Sequence, residues 1–217
     1  HYFGRVPKAS RPVPRDIPRE PPPAGERRVT IEADNWPLPA VVVAHHNTYD
    51  GHPDAYPMHI LAKILSDGQS ARIYRRLVYE QQVAVSAFGA GPIIEDPNLF
   101  YAVAVVQPGQ STEAAAEALI AELERAKAEL PTDQEIQRAK NQFARDYVIG
   151  RISNSDKASH LAHAHVIHDD ITTADGELDI FLNVSKADVQ RVAQTYLRDD
   201  NRLVMTILPR GAGVGRR

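Results

Sequence analysis

Cysteine is absent from this 217-residue sequence, which excludes disulfides, thiolate zinc sites, iron–sulfur clusters and cysteine nucleophiles. Aromatic residues are scarce at 6%, yet the hydrophobic fraction of 43% is ample for a core. No run of about 18 apolar residues occurs, so no transmembrane helix is expected. An excess of positive charge is also missing: 25 basic residues face 28 acidic ones, and a net charge of -3 argues against nucleic acid as the main partner. There is no initial methionine and no charged-then-apolar leader. The chain enters at His1 and runs straight into Tyr2-Phe3-Gly4, as the inside of a longer protein would. The length suits one large or two small domains.

Proline is concentrated rather than scarce. Seven of the 16 prolines stand at positions 7, 12, 14, 18, 21, 22 and 23. Proline at this density blocks helix and sheet ladders and favours an extended strap. Residues 1–28 carry +4, from Arg5, Lys8, Arg11, Arg15, Arg19, Arg27 and Arg28 against Asp16, Glu20 and Glu26, which leaves -7 for the rest. Residues 1–27 read as an interdomain linker, with a docking motif for a proline-reading module as the sharper alternative.

From Arg28 the pattern becomes globular. Val29, Ile31 and Ala33 alternate as the inward side of a half-buried strand over 28–33, and Val41-Val42-Val43-Ala44 marks a second over 38–46. Helices are expected over 54–65, with Pro57 tolerable in the first turn, and over 70–80 through Ile73, Tyr74 and Leu77. Strands follow over 83–91 and 99–107, with Gly89-Ala90-Gly91 as a bulge or tight turn. Ser111 caps a helix whose stripe is Leu119, Leu123, Ala126 and Leu130. Thr132–Glu135 forms a capping box before Ile136, Ala139, Phe143 and Tyr147; 156–168 is helical; and Ser185–Asp188 is a second box before Val189, Val192, Ala193, Tyr196 and Leu197. Leu203, Met205 and Ile207 alternate with Val204, Thr206 and Leu208 in a last strand apolar enough on both faces to be central. This order predicts an α+β fold, an antiparallel sheet of about five or six strands with helices on one face, over residues 28–209, and a disordered tail at 210–217.

No nucleophile elbow, phosphate loop or dinucleotide fingerprint is present. The histidines form two groups: His45, His46, His52 and His59, then His160, His163, His165 and His168. A zinc site on one helix needs two ligands four residues apart, and no two histidines of this chain have that spacing. His165 and Asp169 do have it, and Asp169-Asp170 could join. A polar helix face still outweighs a native site there, with adventitious zinc or nickel a further outcome. His45 and His46 point to opposite faces of an extended segment, so no metal ligand is assigned to them. Asp169-Asp170 and Asp199-Asp200 fall at helix ends, where capping is the usual task. Arg72, Arg75 and Arg76 with Tyr74 and Tyr79 are the densest basic–aromatic cluster. Arg72 and Arg76 share a helix face, which reads as solvated or as a contact for a carboxylate of a partner or substrate.

Several segments together resemble the pitrilysin/insulinase-type zinc metallopeptidases, which include the mitochondrial processing peptidase. They are Tyr2-Phe3-Gly4-Arg5-Val6-Pro7 with the proline strap, His52-Pro53-Asp54 leading into a helix, Leu65-Ser66-Asp67-Gly68-Gln69-Ser70-Ala71-Arg72-Ile73-Tyr74-Arg75-Arg76-Leu77, Leu130–Gln142, Val184–Val189 and the strand at 201–209. The resemblance spans roughly residues 1–209. It implies two homologous α+β halves closing as a clamshell around an unfolded peptide, with zinc held in the first half by H-x-x-E-H. That motif is absent here, so the chain resembles the C-terminal, non-zinc-binding half. In active members of the family the second half supplies an arginine and, seven residues on, a tyrosine. The corresponding positions here are Val78 and Val85. Tyr79 and Arg76 lie nearby, but a shift of one or two residues turns a helical side chain by roughly 100–200°.

The resemblance therefore implies no catalytic residue and no metal ligand in this chain, with zinc expected in the partner half. Its expected partners are an N-terminal zinc-binding half or homologous subunit, and an unfolded peptide substrate. The expected task is that of a chamber wall, and the chain alone is expected to bind no stoichiometric zinc and cleave no peptide. A catalytically dead scaffold subunit is the alternative, motivated by Val78 and Val85. An independent metal hydrolase on His160–Asp170 is a distant third. The resemblance favours the periplasm or cell envelope of a bacterium.

Overall fold

The computed structural model describes residues 3–7, 9–11, 18, 21, 23–34 and 36–210. Tyr2, the strap prolines Pro12, Pro14 and Pro22, and the tail from Gly211 lie outside the described residues. Strands β1 (Arg27–Ala33) and β2 (Ala40–His46) come first. Helix α1 (Ala55–Ser66) follows, with Pro57 in its first turn, where no intrahelical N–H bond is lost. The helix expected over 70–80 is two geometries in series. A short α2 (Arg72–Tyr74) widens into a π-helical turn over Arg75–Glu80, and Gln81 N donates to Arg76 O, five residues back, at 2.9 Å.

The hairpin of β3 (Ala84–Ala90) and β4 (Leu99–Val106) leads into α3 (Thr112–Ala128), capped by Ser111, whose Oγ accepts from Ala114 N at 3.0 Å. Leu130 falls beyond the end of this helix and is exposed, so it is not part of the buried stripe. The two expected capping boxes open α4 (Asp133–Ile149) and α7 (Lys186–Tyr196), and a third, Ser153–Asp156, opens α5 (Asn154–His168). Helix α6 (Thr173–Asn183) has no counterpart among the sequence expectations. It has no side-chain cap and buries only Ala174 and Phe181, so neither a box nor a stripe marks it. Strand β5 (Arg202–Pro209) closes the fold, and Arg210, assigned to the tail from the sequence, donates its N–H to Ala33 O at 3.0 Å.

The sheet order is β1-β5-β2-β4-β3, so β5 is an interior strand paired on both sides, as expected, with β2 in the middle. Three pairings are antiparallel. The fourth, β1 with β5, is parallel, which makes the sheet mixed rather than antiparallel throughout. All seven α-helices of the described residues intervene between these two strands, and a connection of that length is what a parallel neighbour needs.

Register assigns every strand residue to a face. Val204, Val43 and Ala102 form one row across β5, β2 and β4, and all three are buried beneath the α1 and α3 side. The core there is aliphatic and alanine-rich: Ile60, Leu61, Ile64, Leu65, Leu119 and Leu123 pack with Ala84, Ala87, Ala102, Ala104, Ala115 and Ala116. The opposite face carries the row Val29–Met205–Val42–Val103–Phe88, unbroken across all five strands. Val29 is 43% exposed, Ile31 40% and Phe88 48%, so Val29 and Ile31 are not the inward residues their alternation implies. Alternation identifies two faces of a strand, and only the packing says whether anything covers them.

Gly89 has a structural task other than a bulge. It pairs with Ala102, and a Cβ on it would overlap the Tyr101 carbonyl oxygen and press on Ser66. The irregularity of this strand lies instead between Ala84 and Ser86.

Candidate functional site

The arginine–tyrosine segment is built around one buried ion pair. Arg72 donates through Nε to Glu135 Oε1 at 2.6 Å and through Nη2 to Oε2 at 2.8 Å, a bidentate contact between α2 and the first turn of α4. The Arg72 guanidinium first, and then the capping bonds to Thr132, hold the Glu135 carboxyl at about 2, well below the usual carboxylate range. Arg138 of α4 donates to the carbonyl and hydroxyl of Ser70 at 2.7 and 3.1 Å, fixing the turn that precedes α2. Gly68, in that turn, has φ +83°, a conformation that favours glycine.

A cavity of about 560 Å³ opens here, lined by Arg72, Arg75, Arg76, Arg125, Arg138 and Glu80 among others. Four of its five arginines face carboxylates, while Arg138 donates to the Ser70 oxygens. Arg76 donates to Glu80 at 2.8 Å, Arg75 lies 3.7 Å from Glu80, and Arg125 lies 3.3 Å from Glu122 and 3.2 Å from Glu129. Arg72 and Arg76 do not act together, because Arg72 turns inward to Glu135 while Arg76 stays exposed with Glu80. Tyr74 and Tyr79 meet edge to face at 5.3 Å, and the Tyr79 hydroxyl donates to Gln69 Oε1 at 3.2 Å. Val78 packs against the core, and Val85 sits at the β3 irregularity. Neither can donate a hydrogen bond to an oxyanion.

The first histidine group disperses. His45 and His46 do take opposite faces of β2; His45 is buried, and neither ring nitrogen has a hydrogen-bond partner among the described residues. His52 Nδ1 accepts from Asp54 N at 3.0 Å. His59 lies 3.3 Å from the Gly91 carbonyl, with its ring edge-on to Phe143 and Phe181, and burial lowers its pKa. The second group partly converges. His163 Nε2 is 3.0 Å from Asp50 Oδ2, and His168 Nε2 is 3.4 Å from Asp50 Oδ1. His165 is exposed and outside this group. Sequence spacing cannot find Asp50, which lies more than a hundred residues away, in the loop between β2 and α1.

Asp169-Asp170 serve a helix end, whereas Asp199-Asp200 make ion pairs rather than side-chain caps. Asp169 is the left-handed C-cap of α5, and Asp170 Oδ1 accepts from Thr172 N and Oγ1 at 2.9 and 2.7 Å. Asp199 and Asp200 accept from Arg202 and Arg198, each at 3.0 Å. Among the described residues no helix is long and apolar enough to cross a membrane.

A family profile described as the peptidase M16 inactive domain matches residues 1–143. The zinc protease PqqE of Helicobacter pylori is 25% identical over 197 residues, which is 91% of this chain and 44% of that protein. The chain thus spans less than half the length of this curated relative. A solved protease structure from Helicobacter pylori superposes with a TM-score of 0.84 at 24% identity, over 93% of this chain and 49% of that one. The inactive peptidase domain of a Bordetella parapertussis protein superposes with a TM-score of 0.73 at 26% identity, over 82% of this chain and 96% of that one.

Proposed function

Because the chain belongs to the peptidase M16 family as its inactive domain, we propose that it is the non-catalytic half of a zinc metalloendopeptidase. In this reading it docks against a zinc-bearing half, and the two enclose the peptide substrate, with this domain as a chamber wall. Residues 1–27 are the connection between the halves. The observation that carries the reading is the uncovered sheet face. Helices shield one face, while Val29, Ile31, Phe88 and Leu99 stay exposed on the other around half-buried Val42, Val103 and Met205. Soluble monomers rarely leave a contiguous apolar surface of this extent bare. The related PqqE is more than twice as long as the segment it shares with this chain, which leaves room for a half of similar size to cover it.

No zinc of the catalytic kind is assigned to this half, since the H-x-x-E-H motif is missing and the family resemblance puts Val78 and Val85 at the positions where active members carry donors. Its contribution to catalysis is enclosure and support, through surfaces rather than reacting groups. The test is reconstitution. The chain is mixed with its zinc-bearing half, and association and hydrolysis of an unfolded peptide are measured. Ile31→Asp with Phe88→Asp is expected to abolish association while leaving the circular dichroism of the isolated chain unchanged. Association that survives this double substitution refutes the docking face. A complex that forms and carries zinc but hydrolyses nothing supports the scaffold reading instead.

A further inference from the structure

The geometry points to a second metal site in this domain, unrelated to the catalytic zinc of the family: Asp50, His163 and His168 bind one divalent transition-metal ion of the zinc type. One oxygen of Asp50 and one nitrogen of each histidine lie within 4.8 Å of one another. The two histidine–carboxylate separations are 3.0 and 3.4 Å. Ligands around a tetrahedral ion at bond lengths of about 2.0–2.1 Å sit about 3.3 Å from each other, so the group needs only small movements to close on an ion. Two imidazoles and a carboxylate are a donor set that suits zinc or nickel, with a fourth position left for water. A cavity of about 110 Å³ beside the cluster, lined by Tyr56, His160, His163, His168 and Glu177 among others, has room for that water.

Two features hold the ligands in place. The Asp50 side chain is only 6% exposed, and its backbone N–H donates to Ile94 O at 2.7 Å, so the carboxylate is fixed rather than free in solvent. Gly51, at φ +85°, turns the chain beside His168, where a Cβ would come within 3.5 Å of the His168 Nδ1. The histidines are five apart and could not share a face of a regular helix, but His168 is the last residue of α5, before Asp169 turns left-handed. The pair therefore becomes usable only with a ligand from outside the helix.

The function of such an ion follows from what α5 lacks. Of its 15 residues only Ala164 is buried, while Leu161 and Val166 are exposed. A metal joining α5 to the loop between β2 and α1 would staple the least buried long helix to the body of the domain.

The decisive experiment strips the purified chain with a chelator, removes the chelator, and titrates zinc chloride by calorimetry near neutral pH. One equivalent is expected, in place of the absence of stoichiometric zinc that the family resemblance implies for the isolated chain. Asp50→Asn, His163→Ala and His168→Ala are each expected to weaken binding at least about 10-fold, and His165→Ala to leave it unchanged. Zinc is also expected to slow amide exchange across 154–168 in the unaltered chain but not in Asp50→Asn, which keeps the shape of the side chain and so tests charge rather than folding. Absence of binding overturns the site. An adventitious ion only, bound equally by all four variants or lost equally with His165→Ala, overturns it as well.

Discussion

Mild acidification is expected to loosen this fold through His45. Its residue exposure is 1%, it sits on the helix-covered face of β2, and its register neighbours are Phe100 and Arg202. Burial first, then the charges of Arg202 and Lys127, push the imidazole down to about 4, against a weaker opposing pull from Asp199 and Glu26. The ordinary value is near 6.5. The folded state thus keeps His45 neutral where the unfolded chain takes up a proton. Stability from this group is complete above about pH 6.5 and drains away as the pH falls toward 4. A depression of about 2.5 units corresponds to roughly 3 kcal/mol in full, of which about 2 kcal/mol is lost between pH 7 and pH 5. The perturbation is His45→Leu, which keeps an apolar side chain of similar bulk and removes two unpartnered ring nitrogens. Urea unfolding of both proteins at pH 7 and pH 5 measures the effect. At pH 7 the variant is expected to be at least as stable as the parent, and at pH 5 its advantage is expected to grow by about 2 kcal/mol. Burial also lowers His59 and His160, but they are common to both proteins, so the difference isolates His45. If stability falls by the same amount in both, within about 0.5 kcal/mol, the reasoning fails.

Two further substitutions probe the joints of the fold. Arg72→Ala leaves Glu135 without its bidentate partner and is expected to cost about 3 kcal/mol in chemical unfolding. Because Glu135 is depressed in the folded state, the stability it lends is present above about pH 4.5 and lost toward pH 2; in Arg72→Ala that acid-labile part is expected to shrink, and an unchanged acid limb would count against the pairing. Gly89→Ala must displace the backbone of β4 at Tyr101 and is expected to lower stability by about 1–3 kcal/mol, with a measured change near zero showing that the strands can part there.

The sequence by itself determined most of the local structure and the chemistry that is missing. Ser111, Thr132–Glu135 and Ser185–Asp188 mark helix starts correctly, because a cap is made by residues three apart and needs nothing distant. The alternation over 202–209 marked β5 as an interior strand for a similar reason, since both of its faces are written in eight consecutive residues. The absence of cysteine and of H-x-x-E-H likewise follows from composition and spacing alone. Long-range pairing was beyond it. Nothing near Val29 and Ile31 says that their side of the sheet is uncovered, and nothing near Arg27–Ala33 says that its partner is parallel and arrives some 175 residues later. Arg72 turned from a solvated face to a buried pair because the carboxylate that claims it belongs to another helix. His163 and His168, at a spacing no regular helix can use, met only because Asp50 is brought to them from across the domain. Caps and strand alternation are local properties of the chain, whereas the sheet face, the ion pair and the histidine–aspartate cluster depend on which distant segments fold together.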